Sequence, residues 1–400
     1  MSSRTVSAAA PLPAQSPPSW LTFLLASACG LIAANVYYAQ PLIGMISSDL
    51  GLSPRAAGLI VTLTQLGYAA GLVLIVPLAD LIENRRLAVG MIGVGVVALA
   101  GAAMATHVQT FLIASLLIGF GSVSVQILVP YAAHLAPEAI RGRTVGNVMS
   151  GLMLGIMLAR PVASLMADHG SWHTVFVFSS VAMALLAVSL RIVLPVRKPQ
   201  GGVGYGRLLA SMAALARKTP VLQRRSIYQS FQFGAFTLFW TVIPLLLTGP
   251  VFRLSQTGVA LFALAGVAGA IAAPIAGRLA DRGWTRRATG LGLLAVAVAF
   301  LMTHVAEPGS TPALALLVAA AILLDFGVTA TLVLGQREIF AIGGEIRGRL
   351  NGIYMTTWYI GGALGSAVGG WSYAQGGWLL ASCIGLALPL AGLLYYATEK

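Results

Sequence analysis

Two charged side chains lie deep within long apolar stretches of this 400-residue chain. Asp325 stands in the run Ile-Leu-Leu-Asp-Phe-Gly, and Arg160 directly precedes Pro161 in another run. Counted along a helix from the nearest basic residues, Arg160 lies about 25 Å and Asp325 roughly 18 Å from the inner membrane surface. A charge at that depth is costly and marks a functional candidate by default. We therefore treat Asp325 as a candidate proton carrier and Arg160 as its tuning partner.

The physical basis for this interpretation is the competition between two environments. A carboxyl among apolar groups favours its neutral form, whereas a neighbouring guanidinium favours the ionised form. Asp325, balanced between them, could take up and release a proton as its surroundings change. Two structural interpretations stay open. Asp325 could make a polar contact with a neighbouring helix, and Arg160 could extend along its stem to the outer interface.

A second group of charged residues occurs twice in the chain with the same spacing. Asp80 and Asp281 are each followed at +5 and +6 by a pair of arginines. The string Arg-Gly-Arg-x-x-Gly-x-x-Met begins at Arg141 and again at Arg347, 206 residues later. Charge that merely stops membrane insertion would explain its sign but not the matched spacing. The repeat therefore indicates that two halves of the chain are parallel copies.

We interpret the repeated charges as a cytoplasmic gate. A carboxylate near a helix start accepts hydrogen bonds from backbone N–H groups and pairs with arginine, so such a cluster can hold two halves together. The candidate pairs are Asp80 with Arg85 and Asp281 with Arg286. The alternative is solvated loop pairs worth at most about 1 kcal/mol. The full candidate set is Asp80, Arg85, Arg86, Arg141, Arg143, Asp281, Arg282, Arg286, Arg287, Arg347 and Arg349.

The elements that position these residues follow from the composition. Residues of the AVILMFWYC set make up 58 % and charged residues 9 % of the chain, whereas a soluble domain carries about 25 % charge. This excludes a soluble multi-domain enzyme, a disordered protein and, despite the net charge of +13, a nucleic-acid-binding protein. A spanning helix needs about 20 apolar residues. Twelve such runs lie near 21–44, 55–78, 87–105, 110–132, 144–166, 173–195, 223–247, 257–280, 288–305, 313–334, 350–373 and 378–397.

The loop charges predict the orientation and the domain organisation. With the N-terminus in the cytoplasm, 21 of the 24 Lys and Arg residues fall in cytoplasmic segments, as expected for a membrane protein. We predict an all-α polytopic protein of the cell inner membrane with both termini cytoplasmic. Its expected parts are a disordered N-terminus at 1–19, a six-helix bundle at 20–195, a cytoplasmic linker with an amphipathic helix at 196–222, and a second six-helix bundle at 223–400.

The loop after span 8 resembles the signature of the major facilitator superfamily, Gly-x-x-x-Asp-Arg-x-Gly-x-Arg-Arg. The matching residues are Gly277, Asp281, Arg282, Arg286 and Arg287, with Trp284 where glycine is expected. Three further strings are similar to one branch of bacterial efflux proteins in this superfamily: Asn35-Val-Tyr37-Tyr38-Ala-Gln40-Pro41, Gln65-Leu-Gly-Tyr68 and Leu324-Asp325-Phe-Gly327. The resemblance covers residues 20–397 and implies two parallel six-helix halves.

The implied fold places spans 1, 4, 7 and 10 around a central cavity. Mixed amides and aromatic rings suit amphipathic or aromatic solutes, although a single aromatic ring could equally pack against a neighbouring helix. The candidate cavity residues, some of them from span 11, are Asn35, Tyr37, Tyr38, Gln126, Gln229, Gln232, Phe233, Phe236, Trp240, Tyr354 and Trp358.

The residues and the resemblance together predict a secondary active transporter that works by alternating access. The expected activity is proton-coupled export of small amphipathic or aromatic organic molecules. A proton-coupled importer or facilitator of a small metabolite stays open as an alternative. A membrane receptor or an intramembrane enzyme is a second alternative, but the sequence shows neither a signalling domain nor a catalytic cluster. We expect a monomer in the lipid bilayer with a small-molecule substrate and protons as partners, and without catalytic residues, metal, cofactor or nucleic acid.

Overall fold

The computed structural model describes residues 18–199, 204–343 and 346–399, without the side chains of residues 268 and 270. The predicted disordered N-terminus lies outside these residues except for Pro18 and Ser19, and Ser19 already begins a helix. The helices are α1 (Ser19–Ala34), α2 (Ile43–Leu50), α3 (Leu59–Leu74), α4 (Asn84–Ala103), α5 (Val108–Ser122), α6 (Val125–Leu135), α7 (Glu138–Asp168), α8 (Trp172–Val193), α9 (Tyr205–Lys218), α10 (Pro220–Thr248), α11 (Gln256–Ala263), α12 (Ala272–Asp281), α13 (Thr285–Met302), α14 (Thr311–Phe340) and α15 (Arg347–Ala397). Short 3-10 segments are Gln40–Leu42, Pro54–Ala56, Val76–Asp80 and Leu264–Ile271.

The described residues contain ten helical segments that are long and apolar enough to cross a membrane. The longest, α15, has 51 residues and is broken at Gly377, whose φ of 60° and ψ of −154° are open almost only to glycine. It therefore holds the predicted spans 11 and 12. The shorter α1 begins the predicted span 1. The prediction of twelve transmembrane helices in two six-helix bundles is confirmed.

Span 1 differs from the expected uninterrupted helix at 21–44. After α1 the chain changes to shorter i→i−3 hydrogen bonds, from Tyr37 N to Ala34 O at 2.9 Å and from Gln40 N to Tyr37 O at 3.2 Å. Pro41 follows, which has no backbone N–H to continue an α-helix. The helix then resumes as α2 and ends at Leu50. The prediction of one continuous helix was wrong because hydropathy does not register this local change of winding.

Several helices also extend beyond their apolar runs. α7 begins at Glu138 instead of 144, and α14 continues to Phe340 instead of 334. These extra turns carry polar and charged residues such as Arg141 and Arg337. A hydropathy window detects only the part of a helix that lies in lipid. It therefore underestimates the length of helices that continue into the aqueous phase.

Equivalent helix pairs form the centre of each bundle. In the first half α1 packs against α7, and in the second half α10 packs against the first part of α15. Glycines allow both close approaches: a Cβ added at Gly30 would lie 2.6 Å from the carbonyl oxygen of Gly151, and one added at Gly234 would lie 3.1 Å from that of Gly361. Matching small-residue contacts in the two halves agree with the internal repeat found in the sequence.

The two ends of the molecule differ. We call the end that bears residues 81–83, 136–137, 194–199 and 282–284 the basic face, and the other end the opposite face. At the opposite face the halves touch: the Thr62 hydroxyl lies 3.2 Å from the Ala363 carbonyl oxygen and 2.9 Å from the Ser366 hydroxyl, and the Thr257 hydroxyl donates to the Asp168 carboxylate. At the basic face a cavity of about 520 Å³ opens between them. The structure is therefore closed at the opposite face and open at the basic face.

Candidate functional site

Arg160 and Asp325 meet through the indole of Trp240 in the middle of the molecule. The Trp240 Nε1–H donates a hydrogen bond of 2.9 Å to Asp325 Oδ1. The Arg160 guanidinium carbon lies 4.3 Å from the centroid of the same ring. Among the described residues these two charges form no ion pair within 4.0 Å. Arg160, expected as the tuning partner of Asp325, thus contacts it through an Arg–indole–carboxylate arrangement that spans both halves.

Arg160 is held from four sides within the interface between the halves. Its Nε donates to Gln40 Oε1 at 2.8 Å, and its guanidinium carbon lies 5.1 Å from the ring centroids of both Tyr37 and Phe236. Cation–π contacts of this kind gain strength when they are shielded from water, and Arg160 is only 4 % exposed. The side chain is therefore directed into the protein centre, which contradicts the alternative of extension to the outer interface.

Asp325 is buried on α14 against two glycines of a neighbouring segment. The 3-10 segment Leu264–Ile271 crosses it through two glycines. A Cβ added at Gly266 would lie 2.8 Å from Asp325 Oδ2, and one added at Gly269 would lie 2.8 Å from the Asp325 Cβ. Glycine at these two positions leaves the space that the carboxyl occupies. The sequence pattern does not mark either glycine, since nothing along the chain links them to Asp325.

Aromatic rings of the second half surround this centre. Phe233 stacks on Phe236 with ring centroids 5.3 Å apart and meets Trp358 edge-on at 4.3 Å. Trp358 in turn stacks on Tyr359 at 4.3 Å. Of the predicted span 7 stripe, the aromatic members therefore face the centre. We call the set Tyr37, Gln40, Arg160, Phe236, Trp240 and Asp325 the central cluster.

A stacked tyrosine pair separates the central cluster from the cavity at the basic face. Tyr68 of α3 and Tyr359 of α15 stack with ring centroids 4.3 Å apart and planes inclined by 25°. Gln126, which lines the cavity, donates a hydrogen bond of 3.0 Å to the Tyr68 hydroxyl. Tyr68 was expected only as part of a family-like string, and Tyr359 was not among the predicted site residues. Their meeting depends on how α3 and α15 pack across the halves.

Three predicted cavity residues are bonded within their own bundles instead. Asn35 accepts from the Ser179 hydroxyl. Gln232 donates to the Gly292 carbonyl oxygen at 3.0 Å, and the Tyr354 hydroxyl donates to the Leu332 carbonyl oxygen at 3.4 Å. A polar group in an apolar bundle needs a partner, and these found one on an adjacent helix. Tyr38 and Gln229 are buried, with no side-chain hydrogen bond among the described contacts.

The first predicted gate pair is absent. Asp80 is exposed, lines the cavity, and has no ion pair within the described part of the chain. Arg85 instead pairs with Glu83 at 3.1 Å and donates to the Leu194 carbonyl oxygen at 3.0 Å. Arg86 also pairs with Glu83, at 3.0 Å. The predicted Asp80–Arg85 contact was wrong because Glu83 lies closer to both arginines along the chain.

The second predicted pair is replaced by a contact with another helix. Asp281 pairs with Arg337 of α14 at 2.6 Å, and Arg337 also donates to the Gly277 carbonyl oxygen at 2.9 Å. Arg286 instead donates to the backbone carbonyl of Glu399. The predicted Asp281–Arg286 contact was wrong because α14 extends beyond its apolar run and brings Arg337 beside α12.

The other predicted gate arginines bond mainly to backbone and hydroxyl groups at the basic face. Arg141 donates to the Ala133 carbonyl oxygen at 3.2 Å, Arg347 to that of Phe340 at 3.1 Å, and Arg349 to the Ser211 hydroxyl at 2.9 Å. The guanidinium of Arg287 lies 6.0 Å from the Trp284 ring, and Arg143 and Arg282 are exposed. Arg141 and Arg349 line the cavity together with Asp80.

Comparison with known proteins identifies the family. Two stretches of the chain, residues 24–336 and 226–400, match the family model of the Major Facilitator Superfamily. The chain belongs to this superfamily. Over 376 residues it is 40 % identical to the uncharacterized transporter YgaY of Escherichia coli O157:H7, covering 94 % of both chains. It is therefore a membrane-embedded transporter and not an enzyme.

Two further similarities describe the range of related proteins. A chloramphenicol efflux pump of Mycobacterium tuberculosis is 27 % identical over 255 residues, which is 62 % of this chain and 60 % of that protein. The crystal structure of a point mutant of the nucleoside transporter NupG superimposes with a TM-score of 0.77 at 15 % identity, covering 95 % of this chain and all of that one. The second likeness concerns the fold alone.

Proposed function

We propose that this transporter exports small amphipathic or aromatic organic molecules across the bacterial inner membrane in exchange for protons. The observation that carries the proposal is Asp325, buried at the centre and hydrogen-bonded to Trp240, whose ring lies beneath Arg160 of the other half. The chloramphenicol efflux pump among the relatives supports export. The many basic residues in one set of loops favour a cytoplasmic basic face, so the cavity opens to the side from which export starts.

The proposed coupling uses the division of the central cluster between the halves. Asp325 and Trp240 belong to the second half, whereas Arg160 belongs to the first. When the halves 20–195 and 223–400 rock, the distance from Arg160 to Asp325 changes, and the Coulomb energy between them changes with it. The balance between the protonated and ionised forms of Asp325 thus depends on which face is open. A site near the midplane can then exchange its proton with alternate sides.

The proposed gate acts when the basic face closes. Asp80 belongs to the first half and pairs with no described basic residue in the open arrangement, while Arg349 of the second half lines the same cavity. Closure would bring the carboxylate of Asp80 toward Arg349, where a charge-assisted hydrogen bond can form. The Asp281–Arg337 pair lies within one half and would persist in both arrangements.

The decisive experiment measures transport of chloramphenicol, the substrate named for one relative, into everted vesicles with an acidic interior. We expect the wild type to accumulate the compound and Asp325→Asn to lose gradient-driven accumulation. Glu307→Gln, which removes an exposed acid in the loop after α13, is the matched control and should transport normally. Accumulation by Asp325→Asn in response to the gradient would exclude Asp325 as the proton carrier. Accumulation only in right-side-out vesicles with an acidic exterior would favour import.

A further inference from the structure

Two buried N–H donors of the central cluster have no acceptor among the described residues. Arg160 uses its Nε to bond Gln40 Oε1 at 2.8 Å, which leaves Arg160 Nη2 and Gln40 Nε2 without partners. Arg160 is 4 % exposed and Gln40 is fully buried. Because the two side chains are bonded to each other, these free donors belong to one small region at the interface between the halves.

Buried donors without partners are unfavourable, and proteins satisfy nearly all of them. The neighbouring groups do not offer a solution here. The Arg160 guanidinium is surrounded by the rings of Tyr37, Phe236 and Trp240, and the carboxylate of Asp325 accepts from Trp240 without reaching Arg160 within 4.0 Å. The region therefore combines a positive charge, unused donors and flat aromatic surfaces, and no described residue accepts from Arg160 Nη2 or Gln40 Nε2.

We propose that Arg160 and Gln40 form the head-group site of the transported molecule, and that the site takes an aromatic ring bearing a two-oxygen acceptor group, either a carboxylate or a nitro group. Two oxygens on one atom match two neighbouring donors, as in arginine–carboxylate pairs. The ring would stack among the aromatic side chains of the cluster. This proposal rests on the proposed transport function and specifies the substrate class at that same centre.

Access to the head-group site requires movement of the stacked tyrosines. The cavity at the basic face reaches Gln126, which is bonded to Tyr68, and Tyr68 stacks on Tyr359. The two rings belong to different halves, so separation of the halves at this level opens the path. The head-group site is thus occluded in the arrangement that the structure shows.

The charge of the head group distinguishes the two sources of this chemistry. The charged or titratable groups around the site are Arg160, Asp325, Tyr37 and, beside Tyr37, Tyr359 of α15. The segment Leu264–Ile271 that packs on Asp325 adds none among its described side chains. A carboxylate adds a negative charge beside Asp325 and binds best when Asp325 is protonated. A nitro group is neutral overall. Affinity that falls with rising pH therefore indicates a carboxylate, and affinity independent of pH a nitro compound.

The test is equilibrium binding of benzoate and nitrobenzene to the purified full-length protein in nanodiscs, with toluene as the ring without a head group. Gln40→Glu keeps the size of the side chain, removes the Nε2 donor and pairs Arg160 internally. We expect it to weaken benzoate binding by about 10- to 100-fold, the range for hydrogen bonds to charged groups. Gln40→Met removes the donors without adding charge and should weaken both ligands by roughly 2- to 10-fold.

The matched control is Gln109→Glu, which introduces the same charge at an exposed position on α5 and should leave binding unchanged. The proposal is overturned if the wild type binds neither benzoate nor nitrobenzene better than toluene, or if both Gln40 variants bind like the wild type. Binding needs no proton gradient. Gradient-driven transport that depends on Asp325, together with binding indifferent to Gln40, would refute the head-group site and leave the proposed function standing. Head-group binding that depends on Gln40, together with transport that does not depend on Asp325, would refute the proposed function and leave the head-group site standing.

Discussion

The closure of the opposite face depends on a backbone contact that a single methyl group should disrupt. Gly370 on α15 packs directly on the start of span 2. A Cβ added at Gly370 would lie 2.6 Å from the Gly58 nitrogen and 2.9 Å from the Gly58 Cα. Both are backbone atoms that cannot rotate away, and ordinary contacts of a Cβ begin at 3.4 Å. Gly370→Ala therefore requires the two segments to separate by about 1 Å, beyond what a packed interface absorbs freely.

The magnitude follows from the cost of overpacking a tight interface, typically about 1–3 kcal/mol. The same separation lengthens the cross-half contacts of Thr62 with Ala363 and Ser366, which lie at 3.2 and 2.9 Å. The cost applies only while the opposite face is closed, because the halves move apart there in the alternate state. Gly370→Ala should therefore shift the equilibrium toward opening of that face by roughly 5- to 150-fold.

Thiol labelling measures this shift. Ser366 is buried at the closed contact, so Ser366→Cys reports its opening in a background where Cys29 and Cys383 are replaced by alanine. A membrane-impermeant maleimide added at the opposite face should react at least about fivefold faster when Gly370→Ala is present, the lower end of the expected shift. Gly93→Ala on α4 is the control, since its Cβ would meet nothing within 4 Å. Equal labelling with and without Gly370→Ala, or an equal rise with Gly93→Ala, would refute the reasoning.

Two further predictions concern the basic face. Asp281→Asn should change the free energy of unfolding by at most about 1 kcal/mol, because Asp281 and Arg337 are both about half exposed. Asp80→Asn, by contrast, should reduce transport and slow closure of the cavity. Equal transport by both variants and the wild type would leave these residues without a gating role. Arg225→Gln should destabilise the protein by about 3 kcal/mol, since it leaves Glu399 without its 3.0 Å partner in a largely buried pair. Thermal unfolding in detergent measures both stability changes, and a shift for Arg225→Gln no larger than that for Asp281→Asn would contradict the second prediction.

Hydropathy and internal repetition were sufficient to predict the architecture. Twelve apolar runs and the 206-residue offset led to two six-helix halves because lipid contact constrains composition along every span. The break after Ala34 was not predicted, because the hydropathy of the residues before Pro41 is the same whether they form a 3-10 turn or an α-helix. The extension of α14 to Phe340 was also not predicted, because there the helix continues after the hydropathy has fallen.

The sequence predicts how deep Arg160 and Asp325 lie in the membrane, but not which residues they contact. Counting residues placed Arg160 and Asp325 at comparable levels, and the structure brings Arg160 to the face and Asp325 to the N–H edge of one indole. Trp240 contacts both residues because three helices are rotated about their axes in a particular way. A single sequence does not specify these rotations. Gln40 escaped selection because its partner lies 120 residues away. Each of these contacts joins elements distant in sequence.

Arg160 also explains why proton binding and substrate binding would influence each other at this centre. Its guanidinium contacts Trp240, which bonds Asp325, and its Nε bonds Gln40 at the proposed head-group site. A negative head group and an ionised Asp325 compete for the same positive charge. Whatever factor protonation of Asp325 adds to ligand affinity, ligand binding must add to proton affinity, because the coupling free energy is shared. A carboxylate ligand would therefore bind together with the proton, which corresponds to import and would count against the proposed exchange. A neutral nitro ligand does not compete with Asp325 for the guanidinium, so its binding is compatible with the proposed export. The head group that binds therefore tests the direction of coupling as well as the site.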